Sequence, residues 1–244
     1  MGRYYWGGIT LKIEVFTDFT CPFCYIAKLE LERAIDTSGY SGQVEIEYKA
    51  YQIAPDTPKV NAPTFLDALA IKYNATREEV YDMTANMASR AAEVGLYYNF
   101  EKMKTAHTEK AHRLAKWTQQ FGQASAYTEA LMAGHFMAGE DVNDDSFLLK
   151  VIGQLGLDIN GAQDVLATNA FLEALNLDRY DAQQLGIQSV PFFVFENRYG
   201  IKGAEPNEVF VRTLHQTAKI VGIQPSIKLV GTGEDTCTNG ACNL

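Results

Sequence analysis

The stretch TDFTCPFC, residues 17–24, places two cysteines three positions apart between an apolar run and a helical pattern. The run before it, LKIEVFT (11–17), is rich in β-branched and aromatic residues, which favour a strand. Pro22 suits the first position of a helix, where its missing N–H costs no hydrogen bond. Cys21 and Cys24 are therefore predicted to lie at a strand-to-helix junction, at the N-terminus of the helix.

Three functions are open for this cysteine pair: a zinc site, a structural disulfide or redox chemistry. A zinc site takes about four ligands, and no histidine lies near Cys21 in the sequence. A disulfide across so short a loop constrains the unfolded chain little, which makes a purely structural bond the weakest of the three. The sequence favours a redox pair, and we expect no metal site.

The position of each cysteine in the helix predicts its task. Unpaired N–H groups and the helix dipole favour an anion at a helix N-terminus, and the thiolate is the form of cysteine that attacks a disulfide. We therefore expect Cys21 to be the nucleophile and Cys24, one turn further in, to be the resolving thiol. Asp18 has two interpretations: a buried acid that shuttles the proton of Cys24, or a cap of the helix start.

The composition is that of an ordinary globular protein of 244 residues, with 47% hydrophobic residues, 21% charged residues and a formal net charge of −9. This acidic balance argues against nucleic-acid binding, which needs a basic face. No apolar run approaches the ~20 residues that span a bilayer. The first ten residues, MGRYYWGGIT, lack the apolar segment of a secretory signal. We therefore expect a cytoplasmic protein with neither a nucleic-acid nor a membrane partner.

Hydrophobic patterns divide the chain into two sheet-forming parts with helices between them. The alternating stretch VEIEYKAYQI (44–53) predicts a second strand. Residues 64–186 have helical patterns, and one of these helices opens with a capping box at Thr76. The stretch SVPFFVFE (189–196) and the turn after it predict a hairpin, and EPNEVFVRTLHQTAKIVG (205–222) predicts a closing helix.

This order of elements predicts an α/β protein with a thioredoxin-like fold and a large all-helical insertion. We expect a discontinuous thioredoxin-like domain (1–60 and 187–223), a helical insertion domain (61–186) and a C-terminal tail (224–244). Because clefts form where two parts of a molecule meet, the insertion is expected to cover the redox site and to supply substrate contacts.

The tail carries a second cysteine pair, Cys237 and Cys242, around the dipeptide Asn239-Gly240. Asn-Gly is a strong signal for a two-residue hairpin turn. In such a hairpin the two cysteines face each other with Cα atoms about 4.5 Å apart, a separation that disulfides adopt. Idle thiols and weak metal ligands are the alternatives; we favour a second redox pair that relays electrons to Cys21.

The histidines are interpreted as structural residues. His112 and Arg113 are expected to pack and cap the insertion rather than to bind metal. His135 and His215 lie in apolar helical contexts. The aromatic run at 97–100 is explained more simply by core packing than by a peptide-binding groove.

The ordered set of motifs resembles one known family. The cysteine motif, a helical insertion and the stretch SVPFFVFENRYGIKGAEPNEVF (189–210) are similar to the DsbA-type thioredoxin-fold oxidoreductases, specifically their FrnE-like branch. HTEKAHRLAKW (107–117) resembles the insertion motif of that branch, although His107 stands where the branch commonly has Asn. The resemblance extends over about residues 11–220.

The resemblance implies a thiol–disulfide oxidoreductase that acts as an oxidase, reductase or isomerase on protein or small-thiol partners. No bound cofactor is implied, and glutathione is a candidate redox partner. Related members that lack the cysteine pair are glutathione-dependent isomerases and transferases, which usually hold Ser where Cys21 stands. Such an activity on an aromatic substrate, and a non-enzymatic chaperone-like binding protein, stay open as alternatives.

The conformation of Pro191 depends on which argument is used. On local sequence the Val190-Pro191 bond is expected to be trans, since only about 5–6% of X–Pro bonds in folded proteins are cis. The resemblance instead implies a cis-proline loop beside the active site, in which backbone groups of Val190 contact a substrate peptide.

Overall fold

The computed structural model of the protein describes residues 10–60 and 62–226. The strands are β1 (Leu11–Thr17), β2 (Val44–Ala50), β3 (Phe192–Phe195) and β4 (Tyr199–Lys202). The helices are α1 (Pro22–Ser38), α2 (Phe65–Tyr73), α3 (Arg77–Glu93), α4 (Glu109–Gln119), α5 (Ala124–Ala133), α6 (Asp145–Gln154), α7 (Ile159–Ala167), α8 (Leu172–Gln184) and α9 (Asn207–Val221). A π-helical turn, Gly134–Ala138, follows α5. The tail hairpin predicted around Cys237 and Cys242 lies outside the described residues.

The four strands form one sheet in the order β2-β1-β3-β4. β1 pairs in parallel with β2, and α1 forms the crossover between them. β3 is antiparallel to both β1 and β4, so the predicted C-terminal hairpin is confirmed. Between β2 and β3 the named elements are all helical. This is the thioredoxin-like α/β fold with a helical insertion that the sequence predicts, while the domain boundaries stay a prediction.

Local signals fix several helix ends as expected. α1 begins at Pro22, and it ends where Gly39 adopts a left-handed conformation with φ of 79°. The capping box at Thr76 is confirmed: its side chain accepts from the backbone N–H of Glu79, whose carboxylate accepts from the N–H of Thr76. These contacts satisfy N–H groups that the first turn of α3 leaves unpaired. Among the helices of the described ranges, none combines the length and apolar character that crossing a membrane requires.

The sheet is covered on both faces. Leu11, Ile13 and Val15 alternate along β1 and pack in one apolar cluster with residues of α1 and α9. Phe16 points the opposite way and packs with Ala182 of α8. Because successive side chains of a strand alternate between the two faces, this single strand is buried against both the C-terminal helix and the insertion.

A buried carboxylate ties the insertion to the sheet. Asp178 of α8 is 2% exposed. Its Oδ2 accepts a hydrogen bond from the backbone N–H of Ala50 at 2.7 Å. Lys116 Nζ forms an ion pair with the same oxygen at 2.7 Å, and Lys49 Nζ lies 3.5 Å from Oδ1. A buried charge is strongly destabilising when it loses its partners, so this network fixes α4 and α8 beside β2.

Candidate active site

The two cysteines lie at the start of α1, as predicted. Cys21 is the N-cap residue and Cys24 lies in the first turn. The N–H of Cys21 donates to the carbonyl of Asp18 at 3.2 Å, and the N–H of Cys24 donates to the carbonyl of Cys21 at 3.0 Å. The first turn contains no acidic residue, so no carboxylate within it offsets the positive end of the helix dipole.

The two thiols are free and differ in their surroundings. Cys21 is 7% exposed and Cys24 is 2% exposed. Burial raises the pKa of Cys24 well above its usual range, and the hydrogen bond to the side chain of Cys21 adds to that rise. Hydrogen bonding from the hydroxyl of Thr17 and from the backbone N–H of Asp18 acts in the opposite direction and lowers the pKa. The Cys24 thiol is therefore protonated at neutral pH.

The loop before β3 reaches the outer sulfur. The Cys21 thiol lies 3.7 Å from the carbonyl oxygen of Val190 and donates to it. The Val190-Pro191 peptide bond is cis. The trans bond expected from local sequence is wrong, and the cis bond implied by the family resemblance is present. A loop 169 residues away in sequence thus lies against the nucleophile candidate.

The insertion covers the cysteine motif, as the sequence predicts. Cys21 and Cys24 belong to the same apolar cluster as buried residues of the insertion. The clearest polar link is Tyr98, whose hydroxyl donates to the carbonyl of Pro22 at 2.7 Å. Pro22 lies between the two cysteines, so this bond joins the insertion directly to the motif. The substrate contacts expected from the insertion stay a prediction.

The environment of Tyr98 keeps its hydroxyl available as a donor. Its ring centroid lies 6.4 Å from that of Tyr25 and 5.0 Å from that of Phe136. Burial raises the pKa of Tyr98, and the nearby Cys21 raises it further. The phenol therefore stays protonated. The interpretation of residues 97–100 as core is confirmed for the rings of Tyr98 and Phe100, which pack against the buried cluster, and is wrong for Tyr97, which is 76% exposed. The sequence carried no signal for the bond from Tyr98 to Pro22.

Asp18 does not cap α1, because Cys21 is the N-cap residue and the Asp18 carboxylate contacts partners outside the helix start. Asp18 is instead 1% exposed. Its Oδ2 accepts from the backbone N–H of Ile53 at 2.8 Å, and its Oδ1 lies 3.3 Å from His112 Nε2. The capping interpretation is therefore wrong, while the proton-shuttle role of this acid stays a prediction.

His112 and Arg113 are neighbours in α4, but their side chains contact different parts of the molecule. His112 is 2% exposed, and its ring centroid lies 4.7 Å from that of Phe19. The prediction that His112 packs and caps the insertion is therefore incomplete, because His112 also contacts Asp18, which lies outside the insertion. Arg113 does hold the insertion together, because its guanidinium donates to main-chain carbonyls around the end of α7: those of Leu166, Thr168 and Ala170.

The other histidines lie away from the cysteines. His135 Nδ1 contacts the carbonyl of Glu140, and His215 Nδ1 contacts the hydroxyl of Tyr40, each at 3.0 Å, which confirms their structural roles. His107 lines a cavity of about 140 Å³, and burial lowers its pKa. Neither this cavity nor one of about 190 Å³ between β2 and α8 is lined by a cysteine. Within residues 10–60 and 62–226, no three His, Cys, Asp or Glu side chains cluster as metal ligands do.

Comparisons with known proteins agree with this geometry. The family model of the DSBA-like thioredoxin domain matches residues 12–215. A probable DsbA oxidoreductase from Streptomyces coelicolor is similar in structure, with 30% sequence identity, a TM-score of 0.81 and coverage of 93% of this chain and 98% of that one. The cytosolic disulfide reductase DsbM from Pseudomonas aeruginosa is 16% identical, with a TM-score of 0.57 over 86% of this chain and 100% of that one. The uncharacterized protein YwbO of Bacillus subtilis is 21% identical over 217 residues, which cover 86% of this chain and 99% of YwbO.

Replacing Tyr98 with Phe should lower the free energy of unfolding by about 1 kcal/mol, because it removes one hydrogen bond at the motif and leaves the ring packing in place. The matched control is Tyr97→Phe, since Tyr97 is 76% exposed and its loss of a hydroxyl should change stability by less than about 0.5 kcal/mol. Urea unfolding of both variants measures the difference. Equal effects at the two positions would contradict the assignment of the Tyr98 bond.

Proposed function

Because this chain belongs to the DSBA-like thioredoxin domain family, we propose that it is a thiol–disulfide oxidoreductase that uses Cys21 and Cys24 as its redox pair. The observation that carries the proposal is the pair itself: two free, buried thiols at the start of α1, the outer one against the carbonyl of Val190. The narrower assignment to the FrnE-like branch stays a prediction.

The different surroundings of the two thiols define a sequence of steps for reduction of a substrate disulfide. The sulfur of Cys21 lies where the helix dipole favours an anion, and as a thiolate it attacks one substrate sulfur. A Cys21–substrate disulfide forms, and the other substrate sulfur leaves as a thiolate. Cys24 then loses its proton and attacks the Cys21 sulfur. The Cys21–Cys24 disulfide forms and the second substrate sulfur leaves, so two protein thiols are oxidised for one substrate disulfide reduced.

The substrate is proposed to be a protein or small-thiol disulfide that lies along the loop before β3. The carbonyl of Val190 is within 3.7 Å of the Cys21 sulfur, so a peptide that presents its disulfide to Cys21 passes the backbone of Val190 and Pro191. Main-chain groups recognise a peptide without regard to its side chains, which suits varied substrates. Glutathione is the proposed small-thiol partner that resets the pair, and no bound cofactor takes part.

We place this reaction in the cytoplasm. The comparison that supports this is DsbM, which is described as a cytosolic disulfide reductase. Fractionation of cells that express the full chain tests the location.

The C-terminal cysteines are proposed to form a relay. Cys237 and Cys242 flank a predicted Asn-Gly turn that lets them form their own disulfide. Exchange with the Cys21–Cys24 pair would then transfer two electrons from one dithiol to the other disulfide, and it requires a tail long enough to reach the motif.

The first prediction concerns the pair. Cys21→Ser should abolish insulin reduction, because it removes the attacking sulfur, and Cys24→Ser should accumulate a mixed disulfide on Cys21, because nothing resolves it. Turnover assays and mass spectrometry of non-reduced protein measure the two outcomes. Each substitution is also made in a Cys237→Ser/Cys242→Ser background, so that its effect is compared within a chain that lacks the other thiols.

Insulin reduction that is retained in Cys21→Ser would contradict the proposal. Turnover that needs glutathione and survives Cys24→Ser would favour a glutathione-dependent isomerase or transferase instead. Suppression of client aggregation by a chain that lacks all four cysteines would favour a chaperone-like binding protein.

The second prediction concerns pH. A raised pKa leaves a smaller fraction of Cys24 as thiolate at any given pH. Burial is the main cause of the raised pKa, and it persists when Cys21 is bound in a mixed disulfide. Resolution of the mixed disulfide should therefore accelerate roughly tenfold per pH unit between about pH 6 and 9. Single-turnover kinetics with a non-titrating disulfide probe measures the rate. A plateau already reached below pH 7 would show that Cys24 ionises readily and would contradict its assigned state.

The third prediction concerns the tail. Cys237→Ser/Cys242→Ser and truncation after Gly231 should both change the rate or direction of turnover while leaving the unfolding transition in place. The two variants control for each other, since only one of them shortens the chain. If both match the full chain in reduction and in oxidation assays, the relay is wrong.

A further inference from the structure

Asp18 connects three parts of the molecule: the segment after β2, helix α4 and the start of α1. Its side chain accepts a hydrogen bond from the N–H of Ile53, which follows β2, at 2.8 Å. Its other oxygen lies 3.3 Å from His112 Nε2 in α4 of the insertion. A carboxylate only accepts hydrogen bonds, so the imidazole donates through Nε2–H. With both oxygens engaged and only 1% of the residue exposed, Asp18 has little freedom to rotate.

The backbone of Asp18 contacts both cysteines. Its carbonyl accepts from the N–H of Cys21 at 3.2 Å. Hydrogen bonding from its own N–H, like that from the Thr17 hydroxyl, lowers the pKa of Cys24 and so favours the anionic sulfur. A backbone N–H aimed at a sulfur stabilises the thiolate as it forms. The direction in which the Asp18 peptide units point therefore matters for the step in which Cys24 ionises and attacks.

His112 is the element of this arrangement that comes from the insertion. It is 2% exposed, and its ring packs on Phe19, the residue after Asp18. It lies 94 residues from Asp18 in the sequence, so folding of the insertion completes the contact. No metal-type cluster of side chains involves it within the part of the chain that the structure describes.

We propose that His112 is a positioning residue for the resolving step. By donating to Asp18 Oδ1 it holds the carboxylate, and thereby the Asp18 backbone, so that the N–H meets the Cys24 sulfur as that sulfur ionises. This inference rests on the proposed function, since it assigns a task within the Cys24 step. It differs from a proton shuttle, in which Asp18 itself takes the proton of Cys24.

The direct test separates the hydrogen bond from the packing of the ring. His112→Phe keeps an aromatic ring against Phe19 but has no donor, and His112→Gln restores an N–H near the place of Nε2. Resolution of a mixed disulfide between Cys21 and a small aromatic thiol should slow on the order of tenfold in His112→Phe. His112→Gln should recover most of the rate.

A second measurement tells a positioning effect from general disruption. In a Cys24→Ser background, attack by Cys21 on the same probe should fall less than about threefold when His112→Phe is added, since that step does not use the Cys24 sulfur. Thermal unfolding of each variant confirms that it is folded. If His112→Phe does not fold, His112→Asn gives the same test, because its shorter amide leaves Asp18 Oδ1 without a donor.

The proton-shuttle role and the positioning role predict different resolution rates for Asp18→Asn. An amide keeps an acceptor for the N–H of Ile53 and a polar group beside His112 Nε2, but it cannot take a proton. Resolution within about threefold of the unaltered chain supports positioning, and a loss as large as that of Asp18→Ala overturns it in favour of the shuttle.

The remaining outcomes are equally distinct. If His112→Phe resolves as fast as the unaltered chain, or His112→Gln is as slow as His112→Phe, the positioning role is wrong. If the unaltered chain forms no mixed disulfide at Cys21 with any probe, the proposed function itself fails, and that result is visible before any His112 variant is made.

Discussion

The junction between β1 and α1 depends on the burial of one carboxylate. A charged side chain can be removed from water only if its oxygens are hydrogen-bonded, and the partners of Asp18 come from the segment after β2 and from α4. Neither partner is available until the sheet and the insertion have both formed. The loop that presents the cysteines is therefore shaped by the whole fold, although the cysteines themselves are only a few residues away.

Burial and position in the helix also make the two thiols unequal. Cys21 is at the very end of α1, where helix N–H groups are unpaired, whereas Cys24 is enclosed by the first turn and by the insertion. Both sulfurs are buried, but desolvation raises the pKa of Cys24, one turn inside the helix, well above its usual range. In the proposed reaction Cys21 is the attacking sulfur, and Cys24 holds its proton until a mixed disulfide has formed. Tyr98 and His112 add two polar contacts by which the insertion bears on this arrangement.

Local features could be predicted from the sequence because their causes are local. Pro22 at the helix start, the capping box at Thr76 and the strand pattern of 11–17 each depend on residues within a few positions. The order of elements then sufficed for the fold class and for the place of Cys21 and Cys24. The family resemblance, and not local statistics, indicated the cis bond before Pro191.

The sequence did not reveal contacts between residues that are far apart in the chain. The bond from Tyr98 to Pro22 spans 76 positions, and the pairing of His112 with Asp18 spans 94. Nothing in the neighbourhood of His112 distinguishes a residue that packs the insertion from one that reaches another part of the molecule. The buried network of Asp178 with Lys116 is hidden for the same reason, since each looks like an ordinary surface charge on an amphipathic helix.

A redox titration of the Cys21–Cys24 pair tests this account most directly. The chain with Cys237→Ser/Cys242→Ser would be equilibrated in glutathione buffers, alkylated and weighed by mass spectrometry. The account predicts one two-electron transition, with a Cys21–Cys24 disulfide as the oxidised form and a midpoint within the roughly −120 to −270 mV spanned by thioredoxin-fold oxidoreductases. Two thiols that stay fully alkylated at every potential, or that are modified independently without forming a disulfide, would contradict it.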